Sequence, residues 1–583
     1  MANPEALDPV LADLGVRVRE ALRAADLPDA EPEFERPKQA DHGDWATSIA
    51  LRLAKPAKAN PREIAQAIVD HVALPDDVEA VEIAGPGFVN FRFSHAYFEG
   101  VVRRVLGEGD RYGRHTRSQD TREAVNVEFV SSNPTGPLHI GHGRWAALGD
   151  SISALLEADG HQVAREYYVN DAGEQVRTFG ESLYLAATGQ ERTEKHYRGD
   201  YVIALADELR NEHGDGLFEP GPGDDVTGDD VAGTDVAGDD GLGDPRVPMA
   251  AAARVGREGG ELMTDHIRRT LHAMGVDFDT WFSELSLHDA GAIDKAIAEL
   301  REAGHAQDQD GATFLRTTAF GDDKDRVLVR SDGRPTYFAA DCAYLRDKWG
   351  RADRLIYILG ADHHGYVGRM LAAAQCLGIP PEAVEIRIGQ MVNLLRGGQD
   401  VKMSTRAGEF VTLDEVLDEV GSDVLRYHFL RASMDTTVNF DLEVVTQQSM
   451  ENPVYYVQYA HARIASLVRK AEESGLEPGD AADADLRTLT HAAELDLLKK
   501  MAELPEVIAV AAELRATQRV CRYAEELAAT FHRFYTECRI LPGTEEGSPD
   551  QATSHARYWL AVAAKQVLAN ALGVLRVAAP ERM

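Results

Sequence analysis

The stretch that decides the fold is residues 124–142, which read AVNVEFV (124–130), SSNPTGP (131–137) and LHIGH (138–142). The first seven residues are a short apolar run of the kind a buried strand needs, and the next seven are turn formers. Residues 143–159 then read as a helix and 163–169 as a second strand. Strand, loop, helix and strand at this spacing predict a parallel βαβ unit. The helix start offers backbone N–H groups and a partial positive charge, which suits an anion. Gly141 lets a ligand lie against the backbone, and His139 and His142 can reach phosphate oxygens and stabilise charge that grows there. Two histidines near a helix cap can equally be structural, so the motif alone leaves both readings open. Segments 327–330 and 355–359 are also strand-like and predict that the parallel sheet resumes after a long insertion.

Working outward, residues 8–93 read as a small α/β unit. Asn60 and Pro61 form a helix start, with Ile64, Ala65, Ile68 and Val72 at helical spacing, and strands flank the turn Gly85-Pro86-Gly87. Inside the insertion, DVTGD, DVAGT and DVAGD (225–239) are near-copies of a five-residue unit. Calcium-binding Gly/Asp repeats use nine residues with paired glycines, so 214–244 is expected to be a disordered acidic surface loop. From residue 411 onward the chain reads as helical, with segments 447–473, 485–502, 506–534 and 551–572 predicting a bundle.

At 583 residues the chain exceeds one core, and its 44% hydrophobic content excludes wholesale disorder. Four scattered cysteines without a CxxC pair exclude a disulfide scaffold and a cysteine-built zinc site. No apolar run reaches about 18 residues, and MANPEALDPV (1–10) lacks the regions of a secretory signal, so the expected place is the cytosol, with no membrane contact. Acids outnumber bases 97 to 61, for a net charge of −36. Such an excess normally argues against nucleic acid, whose phosphates want Lys and Arg. Only 12 of the basic residues are Lys, and abundant Asp with depleted Lys fits a salt-adapted surface, as in a halophilic archaeon, better than a cation-binding site. In high salt, screening within a few ångströms weakens net charge as a guide to partners.

A second motif lies at Val401-Lys402-Met403-Ser404-Thr405-Arg406. In a lysine-poor chain, Lys402 on a Gly-flanked loop is a candidate to grip a triphosphate; the alternative is a solvated loop lysine. HIGH followed about 260 residues later by KMS-x-R resembles the class I aminoacyl-tRNA synthetases. EFVSSNPT (128–135), YVNDAG (168–173), YFAADCAY (337–344), GADHHGY (360–366), NPVYYVQYAH (452–461) and AAPERM (578–583) narrow the resemblance to the arginyl-tRNA synthetase family, over essentially the whole chain apart from the acidic insertion.

The resemblance implies an α/β Rossmann-type parallel-sheet core (121–410), an N-terminal α/β domain touching tRNA (1–115), a connecting region (411–446) and an all-α anticodon-binding bundle (447–583). It implies ATP with Mg²⁺ on its phosphates, L-arginine and tRNA(Arg) as partners, a monomer, and no metal site built from protein ligands. His139, His142 and Lys402 carry over as the catalytic groups. Pro137, Gly141, Gly360, Asp362, His363, Met403, Ser404 and Arg406 carry over around ATP. Glu128 and Asp341 are the implied guanidinium carboxylates, with Tyr337 beside them and Asn133 on the amino-acid end. If Tyr337 opens a helix, Asp341 at i+4 shares its face.

In the bundle, Arg515, Arg519 and Arg522 at i, i+4 and i+7, with Tyr523 beside them, suit tRNA phosphates and bases. They suit pairing with Glu513 and Glu526 as well. Tyr459 is either core or RNA-facing. Thr405 departs from the family's second loop lysine, and Arg406 or Arg144 is available to compensate. The rivals are a nucleotidylyltransferase without tRNA, against which the N- and C-terminal regions argue, and a catalytically dead RNA-binding paralogue, against which the intact motif residues argue.

Overall fold

The computed structural model describes residues 8–37, 42–220, 243–244, 246–401, 411–474, 476–542 and 548–583. Lys402, Met403, Ser404, Thr405 and Arg406, and the repeats at 225–239, lie outside the described residues. The chain divides into two compact units.

One unit, Arg117–Glu157 with His161–Gln447, is built on a five-stranded sheet. Its strands are β1 (Ala124–Phe129), β2 (Gln162–Val169), β3 (Thr280–Ser283), β4 (Arg354–Gly360) and β5 (Val384–Gly389). They lie in the order β3-β2-β1-β4-β5, and every neighbouring pair is parallel. The order reverses between β1 and β4, and the crevice beyond the strand ends at such a reversal is where open α/β sheets bind ligands. Both predicted strands flanking HIGH are present, and the helix between them, α1, spans Ile140–Ala158. It lies so close to β1 that a Cβ on Gly149 would sit 2.1 Å from the Phe129 ring. The helix Tyr337–Trp349, α2, packs on the opposite face of the sheet, where Glu128 and Glu166 point.

The strand at Arg326–Val329 does not rejoin the parallel sheet as its apolar character suggested. It pairs antiparallel with Ala312–Leu315 in a separate three-stranded sheet, because a nearby hairpin partner satisfies its backbone locally. The described flanks of the acidic insertion are ordered. Asp215–Phe218 forms a 3₁₀ turn that buries Phe218 under the Arg210 guanidinium, and Asp244 pairs with Arg246 at 2.6 Å.

The other unit gathers the described residues up to Thr116, Ala158–Gly160 and Gln448–Met583. Its N-terminal part is a four-stranded antiparallel sheet with helices Pro9–Ala24 and Pro61–His71, the second capped by Asn60. Its C-terminal part is the predicted helical bundle. The two parts are tied by polar bonds: the Tyr112 phenol donates to Met501 O at 3.1 Å in the interior, and the part-buried Asn570 Nδ2 donates to Gly109 O and Tyr112 O at 2.9 Å. Among the described residues, no helix is long and apolar enough to cross a membrane, and no group of three or more His, Cys, Asp or Glu could hold a metal ion.

Candidate active site

HIGH occupies the turn from β1 into α1. The Gly141 N–H donates to His139 Nδ1 at 3.1 Å, and the His139 N–H donates to His142 Nδ1 at 3.2 Å. Each imidazole therefore accepts at Nδ1 and carries its hydrogen on Nε2. The rings stack at 3.8 Å. Burial pushes both pKa values below the ordinary histidine value, and His142 is also held down by His139. At neutral pH the motif thus presents two uncharged N–H donors, which suits an anionic ligand without requiring an imidazolium.

The exit of β4 joins this corner to the second cluster. The turn Ala361–Tyr366 carries Asp362 and His363, both exposed and 3.1 Å apart, at one end. Asp362 is close enough to raise the His139 pKa against the effect of burial. At the other end, the Tyr366 phenol donates to Asp341 Oδ2. One short turn therefore links the ATP candidates Asp362 and His363 to the arginine candidate Asp341.

The helix α2 delivers Tyr337, Asp341, Tyr344 and Lys348 along one face, at i, i+4, i+7 and i+11. The face deepens along its length. Tyr337 is 52% exposed, Asp341 half-buried, Tyr344 buried, and Lys348 has no exposure at all. At the open end the Tyr337 hydroxyl lies over Gly173, where a Cβ would meet it at 2.9 Å and where φ is +100°, so glycine is needed on both counts. At the closed end, Lys348 Nζ donates to Glu128 Oε2 at 2.7 Å and sits 3.9 Å over the Tyr357 ring. The Tyr344 phenol lies 2.9 Å from the same Glu128 oxygen and 2.7 Å from Glu166 Oε1. Glu128 is thus an ion-paired carboxylate whose contacts all land on Oε2; Oε1 has no donor among the described residues.

A third carboxylate was not foreseen. Glu284, directly after β3, is 3% exposed and has no cation beside it among the described residues. Tyr168 hydrogen-bonds to it, and the Asn170 amide, turned so that its nitrogen donates, reaches Glu284 Oε2 at 2.8 Å. The same amide lies 3.2 Å from that of Asn133, whose nitrogen donates to Gln175 Oε1. Burial raises Glu284 to about 7, and the nearby Asp341 and Asp171 charges add to the rise. Burial also lifts Asp341 to about 6, with Glu128 adding and Tyr366 and Arg369 opposing. Two carboxylates with no ion pair among the described residues, beside one already paired with Lys348, leave negative charge that a further cation would meet.

The remaining parts of the site are hidden from sequence because they act through the backbone. Arg144 is fully buried, and its guanidinium donates to five carbonyls, with Gln390 O and Thr436 O at 2.7 Å and Ser433 O at 2.9 Å. It is committed to the framework and cannot reach out to replace the charge that Thr405 lacks. Residue 412, just beyond the KMS-x-R segment, forms an antiparallel bridge with His139, and the Leu413 N–H donates to Leu138 O at 2.8 Å. That places Thr412 and Leu413 against HIGH.

Comparison with known proteins gives the family. The profile described as "tRNA synthetases class I (R), catalytic domain" matches residues 101–203 and 261–465. An arginine–tRNA ligase of Frankia alni is 47% identical over 586 residues, covering 100% of both chains. The chain belongs to the arginyl-tRNA synthetase family. The profiles for the arginyl-tRNA synthetase N-terminal domain and the DALR anticodon-binding domain match 12–93 and 457–583. A solved chain from Campylobacter jejuni, assigned as an arginyl-tRNA synthetase, is 32% identical with a TM-score of 0.72, covering 84% of this chain and 100% of that one. The Thermus thermophilus arginyl-tRNA synthetase, 23% identical over 98% of this chain and 100% of that one, has the same fold at a TM-score of 0.72. The Frankia protein is bacterial, so the comparison lends the archaeal origin no support.

In the bundle of this family member, the three arginines do not share one helical face. Helix Leu504–Leu514 ends at Arg515, which takes a left-handed conformation (φ 55°), and a new helix, Thr517–Glu537, carries Arg519 and Arg522. The apolar spacing continues through the break because both helices bury the same core, so the sequence reads as one helix. Tyr523 is core, its phenol donating to Lys500 O at 2.9 Å. Arg522 is exposed and pairs with Glu526 at 2.8 Å. Tyr459 is half-buried and stacks with Tyr455 at 6.0 Å, with His532 and Arg463 beside it.

Proposed function

We propose that the chain activates L-arginine with Mg²⁺-bearing ATP and transfers the arginyl group to the 3′-terminal adenosine of tRNA(Arg), releasing pyrophosphate and AMP. The observation that carries this reading is the turn Ala361–Tyr366, which ties neutral imidazole donors at one end to a cation-poor carboxylate pocket at the other. In the first step the arginine carboxylate attacks the α-phosphorus and the bond to pyrophosphate breaks. His139 and His142 stabilise the charge that builds on the phosphate oxygens, and Lys402 stabilises the leaving pyrophosphate. Pro137, Gly141, Gly360, Asp362, His363, Met403, Ser404 and Arg406 form the ATP surroundings. Asp341, Glu284 and Glu128 receive the guanidinium, Tyr337 lies at the pocket mouth, and Asn133 holds the amino-acid end. In the second step a ribose hydroxyl of the tRNA attacks the activated carbonyl and AMP leaves. Arg515, Arg519, Arg522 and Tyr459 contact tRNA from the bundle. The enzyme works as a cytoplasmic monomer, with domains at 1–115, 121–410, 411–446 and 447–583.

Charging of tRNA(Arg) with labelled arginine tests the reading directly: label enters tRNA only when ATP is present. Run across a KCl series, the same assay tests the acidic surface, since a salt-adapted coat predicts charging that persists at molar KCl and fails at low salt. An optimum near 0.1 M, where the Debye length is about 10 Å, would overturn salt adaptation and leave the reaction intact. For the loop, Lys402→Ala is expected to lower ATP–pyrophosphate exchange by about 10²–10³, the usual loss of one charge-stabilising donor. Thr405→Ala is expected to cost little. Equal and small effects would remove Lys402 from the mechanism.

A further inference from the structure

Between Glu128 and Asn133 the chain makes a turn that its residue types disfavour. Val130 has φ 69° and Ser131 φ 39°, two consecutive non-glycine residues in the left-handed region, one of them β-branched. The parallel ladder between β1 and β2 ends at the Glu128–Glu166 pair. Beyond it, the Tyr168 N–H that would continue the ladder donates instead to Ser131 Oγ at 3.1 Å. The Tyr167 phenol then binds Ser132 three times. It donates to Ser132 O at 3.0 Å, accepts from Ser132 N–H at 3.1 Å, and lies 2.8 Å from Ser132 Oγ. One hydroxyl has one donor and two lone pairs, so this residue takes its whole hydrogen-bonding capacity. The phenol cannot drift. Its ring is 1% exposed, stacked on Trp281 at 4.3 Å and edge-on to Phe278 at 5.4 Å.

Strand alternation points Tyr167 to the α1 face, away from Glu166 and the pocket. It therefore does not touch a ligand there. We propose that Tyr167 is a positioning residue for arginine: its phenol holds the strained 130–132 turn, and that turn fixes the distance between the guanidinium carboxylate Glu128 and the amino-acid-end amide Asn133. The proposal rests on the arginine-activating reading. HIGH is anchored separately, by the Tyr201 phenol on Thr135 O at 2.9 Å and by the Leu413 N–H on Leu138 O at 2.8 Å. Loss of the Tyr167 hydroxyl should therefore move the arginine site and spare the ATP site.

The test is ATP–pyrophosphate exchange by the full-length chain with tRNA(Arg) present, arginine and ATP being varied separately. Tyr167→Phe is expected to raise KM for arginine about 10-fold while KM for ATP stays within about threefold, with the thermal midpoint measured alongside. Ser132→Ala, which keeps both backbone bonds and loses only the Oγ contact, is expected to raise KM for arginine about threefold; it carries the test if Tyr167→Phe does not fold. Equal rises in both KM values, or a lower thermal midpoint with both unchanged, would make Tyr167 a packing residue and overturn the proposal. A wild-type chain whose exchange ignores arginine would instead overturn the functional reading on which it rests.

Discussion

Asp341→Ala is expected to lower kcat/KM for arginine by about 10²–10³ in ATP–pyrophosphate exchange with tRNA(Arg) present, with KM for ATP little changed. Truncating one partner of a buried, hydrogen-bonded charge pair costs about 2–5 kcal/mol, and each 1.4 kcal/mol is a factor of ten. Asp341 is the carboxylate whose only described hydrogen bond comes from a neutral phenol, that of Tyr366. Arg369 acts on it without an ion-pair contact among the described residues, and an incoming guanidinium supplies that contact. Asp341→Asn keeps the shape and a hydrogen-bonding oxygen but loses the charge, so it should fall nearly as far. Glu128→Gln should be gentler on binding and harsher on stability, because Glu128 already has Lys348 at 2.7 Å and its loss leaves a buried ammonium unpaired. If Asp341→Asn keeps kcat/KM within threefold, the guanidinium is not read there.

How far the site was legible follows from where each group sits on its element. Tyr337 and Asp341 could be paired from the sequence because helical spacing puts i and i+4 on one face. The same spacing puts Tyr344 and Lys348 on that face as well, but not against Glu128, which lies on another element. Lysine at the floor of a cation pocket is not what spacing leads one to expect, and only the depth of α2 against β1 and β4 explains it. Glu284 left no signal, since a single glutamate after a four-residue strand looks like any surface acid until β3 is known to lie beside β2. The framework role of Arg144, which the sequence offers only as a substitute charge for Thr405, and the role of Tyr167 are hidden for a different reason: what they bond to is largely backbone, which no residue pattern encodes. The apolar periodicities of the bundle were read correctly as helices but not as two helices meeting at Arg515. A left-handed arginine ends one helix there without any glycine or proline to mark it.

The pH dependence of arginine use should separate this pocket from one with ordinary carboxylates. With Asp341 lifted to about 6 and Glu284 to about 7, both groups hold protons at acidic pH that a bound guanidinium must displace. KM for arginine is therefore expected to fall as pH rises through that range, by on the order of 10² between pH 5.5 and 7.5 if both charges are needed. KM for ATP should change far less over the same range, because burial holds His142 at about 3, far below it, and lowers His139 as well. Glu284→Gln should raise KM for arginine about tenfold or more at pH 8 and remove the upper part of the pH dependence, leaving the part that belongs to Asp341. The same shifts act on stability with a definite sign. Between the ordinary carboxylate range and about pH 7 the folded chain binds protons that the unfolded chain has released, so these two groups make stability fall as pH rises. Arginine, by pairing with both carboxylates, offsets that loss, and its stabilising effect on the thermal midpoint should be larger at pH 8 than at pH 5.5. A midpoint shift and a KM that are both independent of pH would mean that binding of the guanidinium is not coupled to the titration of Asp341 and Glu284, and would overturn this account of the pocket.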